Sequence, residues 1–233
     1  MKHRQLRERV LTANLDIVKA GLVLLTWGNA SAIDREAGLV AIKPSGVDYD
    51  RLTPASIPLV ALADGVLMDG SYKPSSDTET HLEMYRKFPT IGGIVHTHSH
   101  FAVCYAQAQK PIPCLGTTHA DHFLTEVPVT RMLTEAEIAN EYERNTGRVI
   151  VECFGEQEYD PDRTPGVLVA QHGPFAWAPD IEHAVENAVV LEEVARMGIH
   201  TRELAPRISA AHRPLVEKHF FRKHGPGAYY GQG

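Results

Sequence analysis

Residues 29–42 read Asn-Ala-Ser-Ala-Ile-Asp-Arg-Glu-Ala-Gly-Leu-Val-Ala-Ile, and this stretch decides the fold class. Two short β-rich runs, Asn29–Ile33 and Leu39–Ile42, flank a turn at Asp34–Gly38, which predicts a β-hairpin. Working outward, a strand is expected at Leu59–Leu62 and a buried one at Ile91–Thr97. Gly166–Gln171 and Pro174–Ala178 read as two more, joined at His172-Gly173. Between them lie helical patterns. Leu6, Val10, Ala13, Ile17 and Ala20 recur at helical spacing and Gly21 stops them, predicting a helix over residues 3–20. Further helices are expected from Ser76–Asp77 to Phe88, where Pro89 ends it, at His100–Gln107, at Asp180–Glu203 and at Ala210–Lys223. The capping box Thr134-Glu-Ala-Glu137 should open another that reaches past Tyr142. Strands and helices interleave, but the hairpin signals favour a mixed or antiparallel sheet over a doubly wound parallel one. The expectation is one α/β domain spanning residues 1–233, with a central sheet.

The chain has 233 residues, 23 Lys+Arg against 29 Asp+Glu, and 43% hydrophobic residues. That is enough chain to bury a core without staples. A net charge of -6 and a pI near 6.1 offer no basic footprint for nucleic acid or an anionic membrane. No apolar run approaches the roughly 18–20 residues of a spanning helix. The opening residues lack a signal-peptide apolar stretch and read as mature sequence. Cys104, Cys114 and Cys153 form no C-x-x-C pair, which fits a reducing compartment, expected to be the cytoplasm. Histidine is the unusual residue: there are 13, six of them between His81 and His122.

The sharpest feature is Val95-His96-Thr97-His98 at the end of an apolar run. In a strand, residues i and i+2 share a face, so the two imidazoles converge. Two solvated surface histidines would look the same, so the pair needs further ligands. His172, in Gln171-His172-Gly173-Pro174, offers a third imidazole at a sharp turn. Asp77, in Lys73-Pro74-Ser75-Ser76-Asp77, offers a carboxylate, though a helix N-cap explains it equally. Three His and one Asp suit Zn²⁺, and also Fe²⁺, Mn²⁺ or Co²⁺. Lys43-Pro44-Ser45-Gly46 and Lys73-Pro74-Ser75-Ser76 are near-duplicates. Each puts a hydroxyl and free amides after a proline-stiffened bend, as phosphate sites do; two unrelated proline turns would also fit. Trp27-Gly28-Asn29 reads as a loop where glycine lets a ligand near the backbone. In Thr117-Thr118-His119-Ala120-Asp121-His122, Asp121 with His119 or His122 has the makings of a proton-transfer unit, or of a locally bonded loop. The aromatic, glycine-bounded tail ending Tyr229-Tyr230-Gly-Gln-Gly suits docking on a neighbouring subunit.

Taken together, LTWGNASAIDRE, IKPSGVDY, KPSSDTETH, GGIVHTHSHFA, GTTHADHF, GVLVAQHGPFAWA and RKHGPGAYYGQ resemble the L-ribulose-5-phosphate 4-epimerases of the class II aldolase/epimerase superfamily. The resemblance covers about Leu11 to Gln232. It implies an α/β domain with a central antiparallel sheet and a homotetramer with active sites between subunits. It also implies a metal site, usually zinc, at Asp77, His96, His98 and His172. By the same resemblance Gly28, Asn29, Ser45, Gly46, Ser75 and Ser76 bind substrate and phosphate. Asp121 and Tyr230 become the acid/base pair, the tyrosine coming from the neighbour, while no role attaches to His100. The substrate implied is a pentulose 5-phosphate. Its C4 hydrogen is not α to the C2 carbonyl, so C4 is inverted by breaking and re-forming C3–C4. Aldolase relatives tend to carry Glu where this chain has Asp77, which favours the epimerase branch. A sister aldolase or dehydratase, a non-haem iron oxygenase and a non-catalytic scaffold are the alternatives.

Overall fold

The hairpin forms where the sequence predicts it. The Asp34 carboxylate accepts the Ala37 amide across the turn, and Gly38 supplies a φ of 65°. The computed structural model describes residues 3–230. In chain order the elements are α1 (Arg4–Lys19), β1 (Asn29–Asp34), β2 (Leu39–Ile42), β3 (Leu59–Ala61), β4 (Leu67–Asp69), α2 (Thr78–Lys87) and β5 (Gly93–His96). There follow α3 (His100–Gln107), α4 (Thr117–Ala120), α5 (Glu135–Ala139), α6 (Tyr142–Glu156), β6 (Gly166–Val169), β7 (Gly173–Ala178), α7 (Ile181–Leu204) and α8 (Arg213–Lys223). The strands make one sheet in the order β4-β3-β2-β1-β5-β7-β6, and every neighbouring pair is antiparallel.

Alternation along the strands sorts the core into two layers. Ala30, Ala32, Val95, Ala176 and Ala178 face α1, α3 and α7; Ile94, Val167, Val169, Phe175 and Trp177 face α2 and α6. The first face is built of small residues, so α7 lies close: a Cβ on Gly93 would collide with the backbone of Ile181. The opposite face carries the bulk, with Phe88, Phe154 and Trp177 packed ring against ring. Among the described residues, no helix is long and apolar enough to cross a membrane.

Two expectations need correction, and one element went unpredicted. The helix opened by Thr134 does not run past Tyr142. It stops at Ala139, Asn140 is extended, Glu141 turns left-handed at φ 48°, and α6 starts afresh at Tyr142. Asn145 explains the break, its amide donating to the carbonyls of Glu137 and Asn140 and sealing the end of α5. The strand expected through Gln171 ends at Val169 because Gln171 itself is left-handed, at φ 61°. The edge strand β4 was not legible. It is three residues long, and buried Arg7 ties it down by donating to Asp69 and to the Ile57 carbonyl.

Two buried histidines make this fold sensitive to acid. Burial pushes His81 down to about 3 and His119 down to about 4. The unfolded chain therefore binds protons first as pH falls through 6.5, so stability is complete above that value and declines below it. The decline is on the order of 1 kcal/mol per pH unit for each histidine. Urea midpoints at pH 7.5 and 5.5 should show this fall. It should be shallower in His119→Gln, which keeps a donor for the Thr125 carbonyl that His119 Nε2 reaches at 2.7 Å.

Candidate active site

The register of three strands sets the site's floor. Asn29 of β1, His96 of β5 and Phe175 of β7 stand in one cross-strand row. The His96 ring stacks on Phe175 with centroids 4.1 Å apart. Its Nδ1 donates to the Pro174 carbonyl at 2.9 Å, which leaves Nε2 as a bare lone pair. His98 follows two residues on, and His172 enters from the β6–β7 turn, aimed by the left-handed Gln171. Ligand atoms of His96, His98 and His172 all lie within 4.8 Å of one another. Burial pushes His98 below its ordinary value and His172 down to about 3, with neighbouring His96 adding to both shifts. His98 and His172 are thus kept neutral, as metal ligands must be.

Asp77 lines one cavity with His98 and His172 but stands outside the 4.8 Å histidine group. It occupies the N-cap position of α2 without capping it: its Oδ2 instead accepts the Asn29 amide at 2.6 Å. Burial raises the Asp77 carboxyl, but neighbouring His96 and the Asn29 amide hold it below the usual range. The donor set fits a divalent cation. Asn29 Oδ1 and His172 Nδ1 are buried without a partner. Unpaired buried acceptors clustered like this are costly unless a cation or ligand satisfies them.

The paired loops meet at the cavity's other wall. Pro44 and Pro74 bridge antiparallel, the Ser45 amide donates to the Lys73 carbonyl, and the Ser75 amide donates to the Lys43 carbonyl. The two motifs therefore clamp each other, and their serine amides are not free as the sequence suggested. Ser45, Gly46, Ser75 and Ser76 still line the cavity, at the N-terminal end of α2. Lys43, left without a role by the motif reading, is buried beneath them, its Nζ donating to the Val47 carbonyl at 2.9 Å over the Tyr49 ring. Tyr142 and Glu143 close the opposite side, carried there by the break between α5 and α6. The cavity measures about 360 Å³, room for a small phosphorylated sugar.

Gly28 lines the cavity and has a second constraint besides. Its φ is 90°, and a Cβ there would lie 2.8 Å from the His96 carbonyl oxygen, so the loop also packs closely on β5.

Asp121 and Tyr230 lie elsewhere. They share a separate cavity of about 900 Å³ with Thr90 and Ile91, which precede β5, whereas His96 ends it. Asp121 pairs neither with His119 nor with His122. It accepts from His219 Nδ1 at 3.0 Å and from Arg222, with Lys223 3.6 Å away. His122 Nδ1 instead meets the Asn187 side chain at 3.1 Å. Arg222 and Lys223 lie 4.8 and 4.9 Å from the Tyr230 ring centre, binding acid and tyrosine into one unit. Burial raises the Asp121 carboxyl, and these cationic partners pull it below its ordinary value. Residues 231–233, including Gln232, lie outside the described residues.

Residues 8–199 match the model of the class II aldolase and adducin N-terminal domain, so the chain belongs to that family. Among solved structures, an L-fuculose 1-phosphate aldolase superposes with a TM-score of 0.79 at 24% identity, covering 94% of this chain and 95% of that one. YgbL from Klebsiella pneumoniae, a candidate aldolase/epimerase/decarboxylase, gives 0.72 at 24% identity, over 94% and 99% of the two chains. L-fuculose-1-phosphate aldolase from Thermus thermophilus gives 0.68 at 24%, over 89% and 100%. These likenesses establish the shared fold. Class II aldolases use a divalent metal, usually zinc, and the three histidines are suited to hold one.

Gly28→Ala tests how tightly the loop and the ligand strand are joined. The added methyl should displace the His96 backbone, weaken zinc binding roughly tenfold or more and lower stability by about 1–3 kcal/mol. Zinc titration and urea unfolding of the purified variant would measure the two effects.

Proposed function

We propose that this chain is a metal-dependent L-ribulose-5-phosphate 4-epimerase, interconverting L-ribulose 5-phosphate and D-xylulose 5-phosphate by cleaving and re-forming C3–C4. The observation that carries the reading is one cavity lined both by His98 and His172, whose ligand atoms lie within 4.8 Å of that of His96, and by the clamped Ser45-Gly46 and Ser75-Ser76 loops. His96, His98 and His172, with Asp77 beside them, would hold Zn²⁺, or Mn²⁺ or Co²⁺ in its place. Bound there, the cation supplies Lewis acidity toward the negative charge that cleavage leaves on the three-carbon fragment. Ser45, Ser75, Ser76 and the amide of Gly46 bind the phosphate and retain the two-carbon aldehyde while it turns over. Asn29 and Gly28 border the reacting carbons.

Inversion needs a proton carrier on each face of the aldehyde, and Asp121 and Tyr230 have the chemistry for it. Within one chain both stand at the far end of β5 from the histidines, so the reading requires both from a neighbouring copy, not the tyrosine alone. Exposed apolar side chains support such assembly: Leu25 is 79% exposed close to Trp27, which lines the histidine cavity, and Tyr230 is 60% exposed. A homotetramer is the assembly proposed, with the whole chain as one catalytic domain in the cytoplasm. A sister sugar-phosphate aldolase is the second reading, favoured by the aldolase names among the structural neighbours. Asp77 at the position where such relatives tend to carry Glu weighs toward epimerisation.

An assay with L-ribulose 5-phosphate should yield D-xylulose 5-phosphate, lose roughly 100-fold or more in rate on chelation and recover with Zn²⁺. Stoichiometric release of free aldehyde, or turnover indifferent to chelators, would falsify the epimerase reading. Asp121→Asn and Tyr230→Phe should each lower kcat by roughly 10²–10⁴-fold with metal content unchanged. Loss of metal from either variant would remove its assigned role.

A further inference from the structure

His96 is aimed by a hydrogen bond to its own ring, but among the described residues none reaches the ring of His98. The direction of His98 therefore depends on its backbone, and only Thr97, His98 and Ser99 separate the end of β5 from the start of α3. Upstream, this link is tied to β7: the Thr97 amide donates to the Pro174 carbonyl, and Gly173 lies against the Thr97 carbonyl. Downstream, it is tied by a side chain that neither the motifs nor the proposed reaction uses. Glu192 of α7 accepts the Phe101 amide on Oε1 and the Ala102 amide on Oε2, each at 2.9 Å. These belong to the first turn of α3, where a helix leaves its own amides without partners. Ser99 occupies the N-cap position without capping, and the first turn carries no acid. Glu192 thus does from another helix what an Asp or Ser N-cap ordinarily does, with a full charge at the positive end of the dipole. Helix α7 can deliver it because Ile181 packs against Gly93 of β5, and about 16 Å of helix then carries Glu192 to the start of α3.

We propose that Glu192 is a positioning residue: its cap on α3 fixes the link that carries His98 and so sets that imidazole for a cation shared with His96 and His172. Without the cap, the first turn of an eight-residue helix frays, and the backbone of His98 loses one of its two anchors. Glu192 acts through that backbone and is not among the residues lining the cavity. The inference rests on the metal-site reading of the three histidines and concerns affinity for the ion, not the substrate.

The test is zinc affinity of metal-stripped protein, measured by competition with a chromophoric chelator. Glu192→Gln keeps the side-chain length but turns an NH₂ toward one of the two amides, and zinc should bind about tenfold more weakly, the scale for a group behind a ligand. Glu192→Ala removes both acceptors and should approach a loss of about 100-fold. Because the effect runs through His98, neither substitution should weaken binding by more than about twofold further in a His98→Ala background. Cobalt(II) in place of zinc reads the ligand set directly: the visible spectrum of Glu192→Ala should move toward that of His98→Ala, a change that lost helix stability alone would not produce. Urea midpoints of the metal-free proteins separate the two effects. A Glu192→Gln protein with a lowered midpoint but full zinc affinity would overturn the proposal, as would losses that add in full to that of His98→Ala. If the unsubstituted protein takes up no zinc, the metal-site reading fails and the proposal with it. Failure to turn over L-ribulose 5-phosphate would defeat the epimerase reading while leaving these affinities intact.

Discussion

The Pro174 carbonyl is the fixed point around which the candidate site is organised. Proline brings no N–H to β7, yet its oxygen receives His96 Nδ1 and so dictates which imidazole nitrogen faces the cavity. Phe175, the next residue, supports the ring from beneath, and Gly173, the residue before, is so close to Thr97 that any side chain would collide with its carbonyl. Three consecutive residues thus orient one candidate ligand through backbone, ring face and the absence of a Cβ. This is a rigid arrangement on paired strands, which holds ligand geometry better than a free loop.

Around that point, burial does the electrostatic work. His98 and His172 are kept neutral by burial, and Asp77 is drawn into the cavity rather than onto its helix because Asn29 claims it. The clamp between the two Lys-Pro-Ser turns serves the same end by a different route. It exchanges the amides of Ser45 and Ser75 for mutual order, leaving hydroxyls and the next amides as the groups presented to a ligand.

Much of this was legible in sequence because it obeys short periods. The hairpin and the His96–His98 pair follow the two-residue repeat of a strand, and α1, α3 and α7 follow helical spacing to within a residue or so. What was not legible depends on partners distant in the chain or on backbone atoms. The Asp121 partners Arg222 and His219 are 101 and 98 residues away, so a local reading pairs it with the wrong histidines. The end of α5 is fixed by Asn145, a few residues further on, which looks like an ordinary helical residue. The carbonyl that orients His96 has no side-chain signature at all.

The separation of the histidine cavity from the Asp121–Tyr230 unit, at opposite ends of β5, has a genetic corollary if the two halves meet only between copies. A chain damaged at one end would still lend its intact end to a companion damaged at the other. Two alleles, each inactive alone, would then complement one another in mixed assemblies, and dilution to single chains would silence even the undamaged protein.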